Sequence, residues 1–83
     1  MGVEKLIIVT SNDIMGKNIL FLRGQRGISR EDFGEMIGVE ELELRDIELG
    51  DIFEIDSDAL IRLCEILEVD MNKLISEPMY DKV

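Results

Sequence analysis

The chain of 83 residues has no histidine, no tryptophan, one cysteine and one proline, and aromatic residues make up 5% of it. Without histidine, the usual ligands of zinc sites and the usual base beside serine and cysteine nucleophiles are missing. We therefore expect a protein that is not an enzyme and that binds no metal or other cofactor. The lone Cys64 excludes a disulfide within the chain and is typical of a reducing cytoplasm. Because it lies in an apolar helical run, we expect Cys64 to be a small core residue.

Long apolar runs are missing as well. No stretch reaches the roughly 18 consecutive apolar residues that span a membrane. The N-terminus has only a short run at residues 6–9 and no small-residue cleavage site, so we expect no signal peptide. Hydrophobic residues still make up 46% of the chain, which is enough for one small core. The composition predicts a single cytoplasmic domain without membrane contact, which association with a second copy would stabilise.

The net charge of -10 is distributed unevenly along the chain. Residues 15–30 contain four basic residues and no acidic one, whereas residues 31–58 contain twelve acidic residues against Arg45 alone. This polarity suits a basic protein partner or head-to-tail pairing with a second copy. The acidic stretch at 46–58 lacks the alternating ligands and central glycine of a calcium loop, so it predicts no metal site.

The N-terminal segment 4–10 is rich in β-branched residues and predicts a short strand or extended arm. Residues 52–55 are its only obvious pairing partner within the chain. We expect the segment instead to pair with its counterpart in a dimer or to pack over the helices. A disordered leader is the alternative.

Capping residues and glycines divide the rest of the chain into five helices. Ser11, Asn12 and Asp13 offer N-caps for a first helix to about Arg26, which Gly27 ends. Two short helices follow at 29–37, capped by Ser29, and at about 41–49, with turns at Gly38 and Gly50. A fourth helix begins at Asp56 or Ser57 and ends before a turn at Val69, and a fifth covers 71–75 after the Asp70 cap. The fourth helix carries a wide apolar face made of Leu60, Ile61, Leu63, Cys64, Ile66 and Leu67. Pro78 then ends regular structure.

Residues 28–50 have the spacing of a helix-turn-helix. The apolar positions that fix its two short helices are Ile28, Phe33, Ile37, Val39, Leu44 and Ile47. The residues left facing outward on the second of these helices are mostly acidic, namely Glu40, Glu41, Leu42, Glu43 and Asp46. The same pattern that predicts a DNA-binding architecture thus predicts a poor surface for a polyanion.

Residues 14–75 resemble the phage-repressor (Cro-like, Xre) helix-turn-helix family. The matches occur in register along the chain: Gly16, Ile19, Leu22 and Arg23; Gly27, Ile28 and Ser29; Phe33, Ile37, Gly38 and Val39; Leu44, Ile47, Glu48 and Gly50; Leu63, Leu67, Val69 and Leu74. The resemblance implies an all-α, five-helix phage-repressor-type domain, to which the β-branched N-terminal segment adds a short β-strand or extended arm. The arm would cover residues 1–13, the helix-turn-helix domain 14–76 and a loose tail 77–83.

The resemblance also implies roles for individual residues. Family members bind operator DNA as dimers, with the third helix in the major groove. Arg30 falls where a side chain commonly holds phosphate, and Lys17 could add a second phosphate contact and Arg45 a third cation. Arg23 and Glu48 fall at the positions of a structural ion pair, whose disruption would leave a buried charge unpaired.

The sequence departs from the family on the proposed DNA-binding surface. Glu40 replaces the usual serine or threonine and is a poor N-cap and phosphate donor. The base-facing positions correspond to Glu41, Leu42, Glu43 and Asp46. Since lysine and arginine supply most of the affinity for DNA, this surface is electrostatically unfavourable for binding it.

Leu20 and Phe21 are a second departure, because the family has polar residues there. Four consecutive apolar residues at 19–22 cannot all face one core on a helix. Either the N-terminal arm or a partner, such as the second subunit of a homodimer, covers Leu20 and Phe21.

Two functions remain open from the sequence. One is a transcriptional regulator of the helix-turn-helix type, whose DNA binding is implied by the resemblance and weakened by the acidic third helix. The other is a protein-interaction module that no longer reads DNA, acting as an acidic decoy or as dimerisation partner of a basic or DNA-binding protein.

Overall fold

The computed structural model describes residues 8–51 and 54–81 of the chain. Within these ranges it contains five α-helices, two short strands and a final 3-10 turn. The helices are α1 (Asp13–Gln25), α2 (Arg30–Ile37), α3 (Glu41–Glu48), α4 (Ser57–Leu67) and α5 (Met71–Ser76); the strands are β1 (Ile8–Thr10) and β2 (Glu54–Asp56); the 3-10 turn is Met79–Asp81. The predicted five-helix fold is confirmed.

Local side-chain caps explain where four of the helices begin. The Asn12 side chain accepts from the Met15 amide at 2.8 Å, and the Ser29 hydroxyl accepts from the Asp32 amide at 3.1 Å. Asp56 and Asp70 cap α4 and α5 in the same way. Each cap satisfies an amide that the first helical turn leaves without a partner.

The helix ends follow the expected glycines, with one exception. Gly38, which ends α2, adopts a left-handed φ of 78°. The prediction that the chain turns at Val69 after α4 is wrong, because Glu68 takes the left-handed conformation with φ 53°. A glutamate adopts this conformation at some cost, since its Cβ crowds the backbone there.

The core lies between all five helices and β2. Its buried apolar residues are Met15, Ile19, Phe33, Ile37, Leu44, Ile47, Ile55, Ala59, Leu60, Leu63, Cys64, Leu67 and Leu74. Ile61, which the sequence placed on the apolar face of α4, is 46% exposed, so its assignment to the core is wrong. Only one face of a helix can pack against a single core, and Ile61 lies at the edge of the face that α4 buries.

Two glycines bring the backbones of neighbouring helices into contact. A methyl group at Gly16 of α1 would overlap the Ile47 carbonyl oxygen of α3, and one at Gly34 of α2 would lie 2.6 Å from the Val39 carbonyl oxygen. These close approaches set α3 against both α1 and the end of α2. They fix the orientation of α3, the helix that the family resemblance assigns to the major groove.

The strand predicted in the N-terminal segment is present at Ile8–Thr10, but its expected pairing is wrong. It pairs antiparallel with Glu54–Asp56 of the same chain, with Val9 opposite Ile55. Burial of Ile55 beside the core places β2 where β1 can satisfy its backbone groups. The part of the prediction that concerns residues 4–7 lies outside the described residues.

Residues 77–81, the described part of the segment after α5, are not the loose tail that the sequence predicts, because Asn18 of α1 holds Glu77 and Met79. Residues 82 and 83 of that prediction lie outside the described residues. The Asn18 amide donates to the carbonyl oxygens of Leu74 and Glu77, each at 2.8 Å, and its Oδ1 accepts from the Met79 amide at 2.7 Å. Asn18 is fully buried, and these contacts satisfy its carboxamide. Sequence reasoning missed them because the partners lie 56 to 61 residues away.

Candidate nucleic-acid interface

Helix α3 exposes the residues that the sequence assigned to contacts with bases. It buries Leu44, Ile47 and Glu48 and leaves Glu41, Leu42 and Glu43 at the surface, with Leu42 65% exposed. The Arg45 and Asp46 side chains, one turn further on, are 49% and 29% exposed and lie 3.4 Å apart.

A three-membered ion cluster lies beneath this helix. Glu48, whose side chain is 0% exposed, accepts from Arg23 at 2.7 and 2.9 Å and from Arg30 Nε at 3.0 Å. Arg23 also donates to the Ile28 carbonyl oxygen at 2.8 Å. The cluster joins α1, the loop before α2, the first residue of α2 and the last residue of α3.

Arg23 and Glu48 thus lie together at the positions that the family resemblance gave to an ion pair. The resemblance does not give the bond from Arg30, because it assigns Arg30 to phosphate alone. A carboxylate has acceptor sites for two guanidinium groups, but Arg30 and Glu48 lie 18 positions apart, so no local pattern in the sequence joins them. Arg30 is held by Nε, so its position at the start of α2 is fixed while its side chain is 29% exposed.

The other predicted cations also have partners within the chain. Lys17 Nζ lies 3.2 Å from Asp13 Oδ2 and 5.5 Å from the ring centroid of Tyr80. Arg26 lies 3.7 Å from the Glu68 carboxylate and donates to the Leu67 carbonyl oxygen. The basic stretch at 15–30 therefore has internal carboxylate partners for each of its four cations.

Carboxylates surround the first turn of α3. The Glu40 side chain occupies the N-cap position and makes no capping hydrogen bond within this turn. An open cavity of about 410 Å³ adjoins it between α2 and α3; the residues lining it are Glu31, Gly34, Glu35, Gly38, Val39, Glu40 and Glu41. This end of the surface is strongly negative.

Residues 16–78 match the family model of a helix-turn-helix domain. This chain belongs to that family. No curated protein matches the sequence significantly.

Solved structures share the fold of this helix-turn-helix domain. The clp gene regulator ClgR from Corynebacterium glutamicum aligns with a TM-score of 0.65 and 21% identity over 75% of this chain and 65% of that chain. A second ClgR structure aligns with a TM-score of 0.65 and 20% identity over 86% and 91%. The restriction-modification controller protein C.AhdI from Aeromonas hydrophila aligns with a TM-score of 0.63 and 19% identity over 75% and 92%. At these identities the likeness shows the fold.

Leu20 and Phe21 lie on α1 of the helix-turn-helix domain, away from its core. Leu20 is 41% exposed and Phe21 is half-buried. The expectation that the arm covers them concerns in part residues 1–7, which lie outside the described residues.

Cys64 is buried in α4, as the apolar run around it predicted. Burial raises the pKa of its thiol, and the nearby Asp70 carboxylate raises it further.

In residues 8–51 and 54–81, no cluster of three or more cysteine or acidic side chains could hold a metal ion. The same ranges contain no helix with the length and hydrophobicity of a membrane span.

Proposed function

We propose that this helix-turn-helix domain regulates transcription by contacting operator DNA with α3 and with Arg30. The observation that carries the proposal is the position of Arg30. Glu48 holds its Nε at the first residue of α2, and the two terminal nitrogens of a guanidinium can then donate to a phosphate. ClgR and C.AhdI, which share the fold, are a gene regulator and a restriction-modification controller.

The charge of α3 makes this DNA contact weak. Glu40, Glu41 and Glu43 are exposed, and each would approach the phosphates without a described cation partner. Affinity for DNA comes mostly from cations that displace counterions, and Lys17 and Arg45 already have carboxylate partners. We therefore expect low affinity with a shallow dependence on salt.

The test is binding of the purified protein to mixed duplex DNA at about 50 mM and about 200 mM salt. Binding at low salt that falls with salt, and that Arg30→Ala weakens on every sequence, supports the proposal, because a phosphate contact acts without regard to sequence. Lys73→Ala, which removes one exposed charge from α5, is the matched control. An Arg30→Ala protein that is folded and binds DNA as before contradicts the proposed contact.

A second candidate is a protein-interaction module that kept the helix-turn-helix architecture. The observation in its favour is the carboxylate surface around the first turn of α3 and the adjoining cavity. Such a surface attracts a basic protein and repels nucleic acid. Absence of DNA binding at low salt would favour this candidate over the first.

We also propose a homodimer that covers Leu20 and Phe21. An exposed leucine beside a half-buried phenylalanine on one helix is apolar surface that a second subunit could cover. Leu20→Ser with Phe21→Ser should lower the mass found by sedimentation, whereas Ile61→Ser, at a similarly exposed site on α4, should not. A dimer that survives both changes would refute this interface.

A further inference from the structure

We propose that the outer face of α3 binds a basic amphipathic helix of another protein. Leu42 and Leu49 are 65% and 67% exposed, the two highest values among the exposed large apolar residues of the described chain. They are seven residues apart, and Leu49 keeps helical backbone angles as the C-cap of α3. Seven residues are two helical turns, so the two side chains lie along one face of the helix.

This leucine pair, Leu42 with Leu49, is the apolar centre of the proposed surface. Two leucines a heptad apart match the spacing at which a partner helix places its own apolar side chains. Contacts of this kind supply affinity where water is excluded, and polar groups surround them at the rim.

The carboxylates around the leucine pair determine the charge of the partner. Glu41 and Glu43 flank Leu42 and are exposed, and Asp46 lies between the two leucines. Glu31 and Glu35 line the adjoining cavity, which a lysine or arginine side chain could enter. Complementarity of charge therefore requires a partner helix with lysine or arginine beside its apolar face.

A second copy of this chain fits the surface less well. Two such faces would oppose carboxylate to carboxylate, and the four cations at 15–30 already have internal partners. Duplex DNA presents phosphates to the same carboxylates. The proposal rests on the second candidate function and specifies its surface and its partner.

The probe for the test is a fluorescent peptide of about 18 residues that forms a helix with one leucine face and one lysine face. Fluorescence anisotropy with the full chain measures its affinity. Leu42→Ser with Leu49→Ser should weaken binding by about tenfold or more, because the apolar contacts are lost. Ile61→Ser removes an exposed apolar side chain from α4, away from this surface, and should leave the affinity unchanged.

Charge variants distinguish a specific surface from attraction to an acidic protein in general. Glu41→Gln with Glu43→Gln should weaken peptide binding several-fold. Asp58→Asn with Glu65→Gln, which removes two exposed charges from α4, should have much less effect. Equal losses in the two variants, or no peptide binding by the unaltered chain, would overturn the proposal.

Two further measurements separate the other occupants of this face. A lower sedimenting mass of the Leu42 and Leu49 variant would mean that a second copy covers the leucine pair, and it would overturn the proposal. Duplex DNA measured with the same proteins tests the first candidate function by itself. Peptide binding without DNA binding supports this inference and contradicts only the DNA contact.

Discussion

Glu48 holds two guanidinium groups at once although its side chain has no exposed surface. Glu48→Gln should lower the free energy of unfolding by about 3 kcal/mol, because Arg23, 11% exposed, would lose its compensating charge. Urea denaturation measures the change. Glu43→Gln makes the same chemical change at an exposed site of the same helix and should shift stability by at most about 0.5 kcal/mol. Equal stability of the two variants would show that the cluster has no structural role.

At this scale the sequence predicted part of the site. The family resemblance gave the Arg23–Glu48 pair, because both residues fall at positions that the fold itself brings together. It did not give the Asp13–Lys17 pair, although residues four apart on a helix are a local signal. It also did not give the Arg30–Glu48 bond, because these residues lie 18 positions apart and only packing of the helices brings them together.

Among the five described α-helices, α3 has the least stabilised N-terminus. Its N-cap Glu40 has extended backbone angles suited to serine but makes no capping hydrogen bond in the first turn. Glu40→Ser should raise the free energy of unfolding by about 0.5–1 kcal/mol, because a hydroxyl can accept from the amides of that turn. Thermal or urea denaturation measures the gain. Ser29→Ala, which removes the working cap of α2, should cost about 1 kcal/mol; a loss of stability in both variants would contradict this account of Glu40.

The five helices were predictable because their signals are local. The side chains of Asn12, Ser29 and Asp70 each accept a hydrogen bond from the backbone amide three residues later, and Gly38 is itself the residue that ends α2. The pairing of β1 with β2 and the fixed tail were not predictable. Their contacts join residues 44 to 61 positions apart in the chain, where no short pattern specifies the partner.

For the molecule as a whole, the charge of -10 limits which partners can approach α3. Glu41→Gln with Glu43→Gln should raise the affinity for mixed duplex DNA by roughly tenfold at low salt, because a carboxylate beside a phosphate costs about 1 kcal/mol in water. Fluorescence anisotropy with labelled DNA measures the change. Asp58→Asn with Glu65→Gln gives the same net charge, so an equal gain in that variant would assign the effect to the total charge.

Through the carboxamide of Asn18, the folded domain extends past the residues that match the family model. The family match ends at residue 78, whereas the amide that donates a hydrogen bond to Asn18 Oδ1 belongs to Met79. A chain cut at the family limit would keep the residues of all five helices and lose the hydrogen bond from Met79 to Asn18, a loss of about 0.5–1.5 kcal/mol. A small domain has little stability to spare, so truncation at residue 78 should be avoided when this protein is shortened.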